Sequence, residues 1–191
     1  MDVSLIASMG MRVVIVHGSR PQIEELMSLR KLEGQFYKGV RITGPQELEC
    51  VKEACGETRF DIEAAFSQGL PNTPMQHSRI KVVSGNFVTA RPMGIIDGVD
   101  YLHTGVVRKV DAESIQDLLS RGNIVLVSPT GFSPTGEAFN LTTEDVATAI
   151  AVAIHADKLI LSVGVDGVRI QGEKQQDLTA QQAQALIQSK Q

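Results

Sequence analysis

Val14-Ile15-Val16-His17-Gly18-Ser19-Arg20-Pro21-Gln22-Ile23 is the stretch that decides the fold. Its first residues close an apolar run that starts at Met11 and is broken only by Arg12. Such a run reads as a strand buried on both faces, as in a parallel sheet. His17-Gly18 ends it. Pro21 falls where a helix begins, the one place where a missing N–H costs nothing. Ile23, Leu26, Met27 and Leu29 follow at helical spacing. Upstream, Val3 to Met9 reads as a helix closed by Gly10, the usual left-handed stop. The opening unit is therefore helix, strand, tight turn, helix.

Working outward, Gln35 to Thr43 reads as an extended piece, and Pro45 opens a second helical region. Leu48, Val51, Ala54 and Cys55 suit one helix. Ile62, Ala65, Phe66 and Leu70 suit another, with a break expected at Gly56 and Thr58. From Ile80 to Tyr101 the period falls to two. Val82-Val83 and Phe87-Val88-Thr89-Ala90 read as a hairpin around Ser84-Gly85-Asn86, and Asp97-Gly98 as a second turn. Val106 to Val110 reads as a short strand. The last third alternates again. A helix over Ala112 to Ser120 precedes a buried strand, Ile124 to Val127, and a Gly-, Pro-, Ser- and Thr-rich loop, Ser128 to Asn140. Thr142 or Thr143 caps the next helix, with Glu144 and Asp145 in its first turn, where the dipole favours acids. Lys158 to Val163 reads as a third buried strand, and Gly164 to Gly172 as a turn or hairpin. Thr179 and Gln182 form a capping box for a last helix, Ala180 to Ser189.

This alternation predicts an α/β fold, a three-layer αβα sandwich around a mainly parallel central sheet, with the middle hairpins as an extra lobe. A chain of 191 residues with 42% hydrophobic content fits one domain spanning 1–191. Ligands of such sheets sit outside the carboxyl ends of the strands. That rule selects residues 17–21, 128–140, 140–145 and 163–167.

Composition removes several function classes. Eighteen basic residues stand against 22 acidic ones, a net charge of −4, and no basic run exists to track phosphates. Aromatic content of 4% with no Trp leaves no base-stacking platform, so no nucleic-acid partner is expected. No apolar run reaches about 18 residues, so no membrane span is expected. Leu5 to Met11 lacks the basic flank of a secretory signal. Cys50 and Cys55, five apart on one helix, suit neither a disulfide framework nor a zinc site. A reducing, cytoplasmic setting is the expectation. His17, His77, His103 and His155 show no metal-ligand spacing, and no metal is expected. The phosphate-binding P-loop and the dinucleotide fingerprint are absent. Gly131-Phe132-Ser133-Pro134-Thr135 lacks the last glycine of a nucleophile elbow.

Six residues stand out as a candidate pocket. Gly18, Ser19 and Arg20 form a strand–helix turn whose free N–H groups can hold an anion, with Arg20 as an added cation. The same residues also describe an ordinary turn with a solvated arginine. Arg41, set among apolar residues, is either a ligand clamp or a surface charge. Asn140 orients a ligand or holds its own loop. Lys158 faces a phosphate or simply ends the preceding helix favourably.

Taken in order, Val14-Ile15-Val16-His17-Gly18-Ser19-Arg20-Pro21-Gln22-Ile23, Gly39-Val40-Arg41-Ile42-Thr43, Val82-Val83-Ser84-Gly85-Asn86-Phe87, Phe139-Asn140-Leu141-Thr142 and Lys158-Leu159-Ile160-Leu161 with Gly164-Val165-Asp166-Gly167-Val168 resemble the amino-acid kinase family over nearly the whole chain. Within it they resemble the acetylglutamate kinase branch. The resemblance implies that Gly18 is a substrate-loop glycine, Arg41 the holder of a substrate α-carboxylate, Asn140 a substrate contact and Lys158 a nucleotide-side lysine.

The departures point further. The branch carries three glycines where this chain has Gly18-Ser19-Arg20. Its Asn-x-Asn-x-Asp pattern reads here Asn140-Leu141-Thr142-Thr143-Glu144. The family's first strand, with the lysine that stabilises the transferred phosphoryl group, is missing. This altered set is similar to the kinase-like domain of the bacterial N-acetylglutamate synthase family. That resemblance implies a non-phosphorylating module with no catalytic residues, serving arginine sensing and oligomerisation in arginine biosynthesis. Acetyl transfer from acetyl-CoA to glutamate would belong to an acetyltransferase domain outside this partial chain, so no cofactor is expected in the chain itself. Expected partners are L-arginine or another small amino acid and further copies of the chain. The family's arginine site draws on an N-terminal helix and on later segments, both expected outside this chain. An active acetylglutamate kinase and a purely structural oligomerisation domain are the alternatives.

Overall fold

The computed structural model describes residues 2–68, 80–165, 167–170 and 172–189. They form two compact units, Met1–Leu159 and Ile160–Gln191. In the first unit α1 (Asp2–Ser8) precedes β1 (Val14–Val16), which feeds α2 (Arg20–Leu29). A hairpin of β2 (Gln35–Tyr37) and β3 (Val40–Ile42) leads to α3 (Pro45–Ser67). Then come β4 (Val82–Ser84), β5 (Val88–Pro92), the small hairpin β6 (Ile95–Ile96) and β7 (Val99–Asp100), and β8 (Gly105–Val110). The unit closes with α4 (Ala112–Ser120), β9 (Ile124–Val127), the hairpin β10 (Thr130–Phe132) and β11 (Ala138–Asn140), and α5 (Thr143–Ala153). The second unit holds the hairpin β12 (Arg169–Ile170) and β13 (Glu173–Lys174), and α6 (Ala180–Ser189).

The central sheet is all parallel, in the order β1-β9-β4. Val14 and Val83 flank Val125 from its two sides. All four residues of β9 are buried, which is why an unbroken Ile-Val-Leu-Val run is stable there and alternation is absent. The chain steps from β1 across to β4 and then back to β9. Right-handed crossovers therefore place α2 and α3 on one face and α4 on the other. Val125 and Val127 pack with Ile115 and Leu119 of α4, Val146 and Ile150 of α5, and Phe139 and Leu141. Ile23 and Met27 of α2 pack with Cys50, Val51, Ala54 and Cys55 of α3. The result is an α/β fold with a parallel core.

Beside it lies a mixed sheet, β11-β10-β5-β8. Gly131 sits where a Cβ would come within 2.8 Å of the Ala90 Cβ and 3.2 Å of the Val88 carbonyl oxygen, so β10 can approach β5 only without a side chain.

Four expectations are corrected. Gly56 does not break the second helical region: Pro45–Ser67 is one helix of 23 residues. An isolated glycine costs about 1 kcal/mol in a helix, which the buried stripe from Leu48 to Cys55 outweighs. Leu70, assigned to the second of the two expected helices, lies outside the described residues, as do His77 and Asp166. Ser84-Gly85-Asn86 is no hairpin turn but a crossing between sheets. Val82–Ser84 joins β9 in parallel, while Val88–Pro92 pairs with β8 antiparallel. The run from Met11 narrows to Val14–Val16, half-buried at the sheet's edge, because it has one strand neighbour where β9 has two. Lys158 to Val163 is not a buried strand. It pairs with no strand among the described residues, and Ile160 is 82% exposed. Without a ladder its backbone groups have no partner to draw them from water.

Other readings hold closely. Asp97 and Gly98 both take positive φ, 52° and 79°, as a two-residue turn between β6 and β7 requires. In the second unit the Thr179 N–H donates to Gln182 Oε1 at 2.8 Å and the Gln182 N–H to Thr179 Oγ1 at 3.2 Å, a reciprocal cap for α6.

Replacing Ile115 (0% exposed) with Ala should cost about 2–5 kcal/mol, read from the urea midpoint, while Val152→Ala on the open face of α5 (69% exposed) should stay within about 0.5 kcal/mol.

Candidate functional site

Three parallel strands end side by side, and each ends on a polar residue. His17 follows β1, Ser128 follows β9 and Ser84 closes β4. Helix α3 lies over these ends. Ser84 Oγ donates to Glu63 Oε1 at 3.0 Å, and Arg59 Nε stands 3.7 Å from the same oxygen.

The turn after β1 is held from within. The His17 N–H still donates to the Val127 carbonyl at 3.2 Å, extending the ladder by one residue. Its ring lies 2.9 Å from Ser128 Oγ through Nε2 and 3.2 Å from Ser19 Oγ through Nδ1. Ser19 in turn donates to Thr58 Oγ1 at 3.2 Å. A neutral ring protonated on Nδ1, with Nε2 accepting from Ser128, satisfies every partner. Burial is the main cause that holds the His17 pKa below its usual value. The Gly18 carbonyl opposes the shift, and the Arg59 charge adds to it.

Ser19 occupies the cap position of α2 but caps nothing; its hydroxyl is turned inward, and the residue is 1% exposed. It also touches Cys55: burial raises the thiol pKa, and the bond to Ser19 opposes the shift. Gly18 faces α5: a Cβ there would lie 3.8 Å from Thr143 Oγ1, so the start of α5 adjoins the turn. Thr142 holds the cap position there, but, against the sequence expectation, its side chain makes no cap hydrogen bond.

A second polar knot holds the neighbouring strand. Thr104 Oγ1 donates to the Arg41 carbonyl at 2.6 Å and accepts from the Thr43 N–H at 3.0 Å. Asn140 Nδ2 donates to Thr43 Oγ1 at 3.0 Å, and the Leu141 N–H to the Pro129 carbonyl at 2.9 Å. Asn140 thus ties β3 to the segment that follows Ser128.

The Arg41 side chain turns toward α2 and is 10% exposed. Its guanidinium stacks on Phe36 at 4.6 Å, reaches Met27 Sδ at 3.2 Å and pairs with Glu24 Oε1 at 3.4 Å. Arg20 is exposed, pairs with the same Glu24 oxygen at 3.0 Å and lies 5.6 Å from the same ring. Burial lowers the Arg41 pKa; Glu24 opposes the shift and Arg20 adds to it. Glu24, Met27, Ser28, Leu32, Gly34, Phe36 and Arg41 line an open cleft of about 280 Å³.

The structure therefore brings Arg20 and Arg41 together through Glu24, keeps Gly18 and Ser19 in the turn after β1, and joins Asn140 on β11 to Thr43. Lys158 is exposed beyond α5, and no hydrogen bond or ion pair joins it to the other five. Thr58, Ser84, Ser128, Thr104 and Glu24 were not singled out from sequence as site residues. Ser84 and Ser128 carried a signal, a polar residue closing an apolar strand. Thr104 did not, since its partner Thr43 is 61 residues away.

Because His17 is buried and neutral, the unfolded chain binds a proton there more readily than the folded one. Its share of stability is full above pH 6.5 and falls as the pH drops below that value. Urea titrations at pH 7.5 and 5.5 should show a smaller pH loss in His17→Gln than in the parent, together with a cost of about 1–3 kcal/mol at pH 7.5.

The model of the Amino acid kinase family matches residues 1–188. An amino-acid acetyltransferase of Ralstonia nicotianae is 60% identical over 183 residues, covering 95% of this chain and 41% of that protein. One from Ectopseudomonas mendocina is 50% identical over 187 residues, covering 97% and 43%. The crystal structure of N-acetylglutamate synthase from Neisseria gonorrhoeae, complexed with coenzyme A and L-arginine, superposes with a TM-score of 0.87 at 34% identity over 98% of this chain and 44% of that one. The chain thus spans less than half the length of these relatives. With a family match from residue 1 to residue 188 and an α/β fold of this topology, the chain belongs to the amino acid kinase family.

Proposed function

We propose that this chain is the kinase-like, non-phosphorylating part of an N-acetylglutamate synthase. In that reading it senses a small amino acid for arginine biosynthesis and assembles as a homo-oligomer in the cytoplasm. The acetyl group of acetyl-CoA is handled by another domain of the longer protein. Support comes from the relatives named amino-acid acetyltransferase and from the likeness to the synthase that holds coenzyme A and L-arginine.

The observation that carries the reading is the state of the turn 17–20. Phosphoryl transfer asks a protein for positioning and for charge placed on the moving group. Here the hydroxyl of that turn is committed inside the chain, and its arginine pairs with a carboxylate at the surface. Ser19 bonds His17 and Thr58, and Arg20 bonds Glu24. Glu144 stands exposed in the first turn of α5, and Lys158 is exposed. What remains suits recognition. Gly18 and the start of α5 offer N–H groups, Asn140 holds the Thr43 hydroxyl just past β3, and Arg41 offers a largely buried cation for an α-carboxylate.

A coupled assay with ATP and N-acetyl-L-glutamate should register no ADP above the background without protein, while calorimetry should register heat on titrating L-arginine. Measurable turnover would refute the reading. No heat, with a defined oligomer by light scattering, would leave a scaffold in its place.

A further inference from the structure

Glu24 stands out as a carboxylate already seated where an incoming one would bind. Two guanidinium groups, Arg20 and Arg41, converge on its Oε1 at 3.0 and 3.4 Å. Both also lie on the ring of Phe36, at 5.6 and 4.6 Å. The two cations are not equivalent. The Arg20 side chain is 73% exposed and keeps its water, whereas that of Arg41 is 10% exposed. Met27 Sδ, a weak acceptor, gives Arg41 no counter-charge. Glu24 is therefore the anion in direct contact that offsets its burial, with Glu47 adding to it without a contact, and Arg41 borders an open cleft.

We propose that Glu24 is the affinity-setting residue of this cleft, an internal carboxylate that a ligand's carboxylate displaces from Arg41. This rests on the reading that Arg41 holds a small amino acid. Displacement is cheap because Glu24, 53% exposed and one turn beyond Arg20, keeps its pair with Arg20 when it releases Arg41. The cleft then carries two cations against two carboxylates. A neutral ligand cannot make this exchange, so the Glu24 contact also discriminates against ligands without an anionic group.

Glu24 is 53% exposed and stands 3.4 Å from Arg41, so its hold on Arg41 is modest. Glu24→Gln should tighten binding of N-acetyl-L-glutamate about two- to fivefold in calorimetry, roughly 0.4–1 kcal/mol at 1.4 kcal/mol per tenfold. Glu25→Gln, an exposed neighbour with the same charge change, should leave it unaltered. Arg41→Ala should abolish it. Unchanged or weaker binding in Glu24→Gln, or equal tightening in Glu25→Gln, would overturn the displacement while Arg41→Ala still upholds the cleft. Binding that survives Arg41→Ala, or none in any variant, would overturn the cleft reading itself and the displacement with it. A far-ultraviolet circular dichroism spectrum matching the parent establishes that each variant is folded.

Discussion

The burial of Ile124-Val125-Leu126-Val127 on both faces and both edges is the constraint on which the rest of this chain depends. A strand so placed must find parallel partners on each side and helices above and below. β1 and β4 supply the edges, and Ile115, Leu119, Val146 and Ile150 supply one cover. Parallel strands run the same way, so the first residues past them emerge together. That is why His17, Ser84 and Ser128 share one rim, although they are scattered over more than half the sequence.

At that rim the chain has chosen internal satisfaction over open donors. A buried imidazole between two serines, a serine that ignores its helix, and an asparagine locked to a threonine each meet the requirement that buried polar groups be paired. Groups so committed are poor at following charge through a reaction, because each would have to break a bond to do so. They are good at holding a backbone still. The same rim that would serve transfer with freer groups becomes a rigid floor for recognition. The charge that remains adjustable lies to one side, at Arg20, Glu24 and Arg41.

Much of this was legible in the sequence, for physical reasons. Ala180–Ser189 was readable to the residue from its Thr179 cap, and Ala112–Ser120 was legible with the same bounds, its start fixed locally by an Asp111 cap that the structure shows. The apolar run of β9 announced a central strand. What failed was non-local. Alternation over Val82 to Ala90 says strand but does not name the partner, and the demand of β9 for a second edge drew Val82–Ser84 away from a hairpin. Lys158 to Val163 has a strand's composition without a ladder to join. In the site, Gly18 and Asn140 were visible as residue types at strand ends, and Arg41 as a lone cation in an extended apolar stretch. The inward turn of Ser19 and the Glu24 pairing depend on packing between α2, α3 and β3, which no local pattern encodes.

The central claim is that the carboxyl rim of the β1-β9-β4 sheet, with the Arg41 cleft beside it, binds a small carboxylate ligand without transferring phosphate. Amide hydrogen exchange, with and without saturating N-acetyl-L-glutamate, tests it most directly. Exchange should slow at residues 17–20, 41–43 and 140–143 and stay unchanged along α6. Protection confined to residues 160–189, or none at the rim under saturating ligand, would contradict the account.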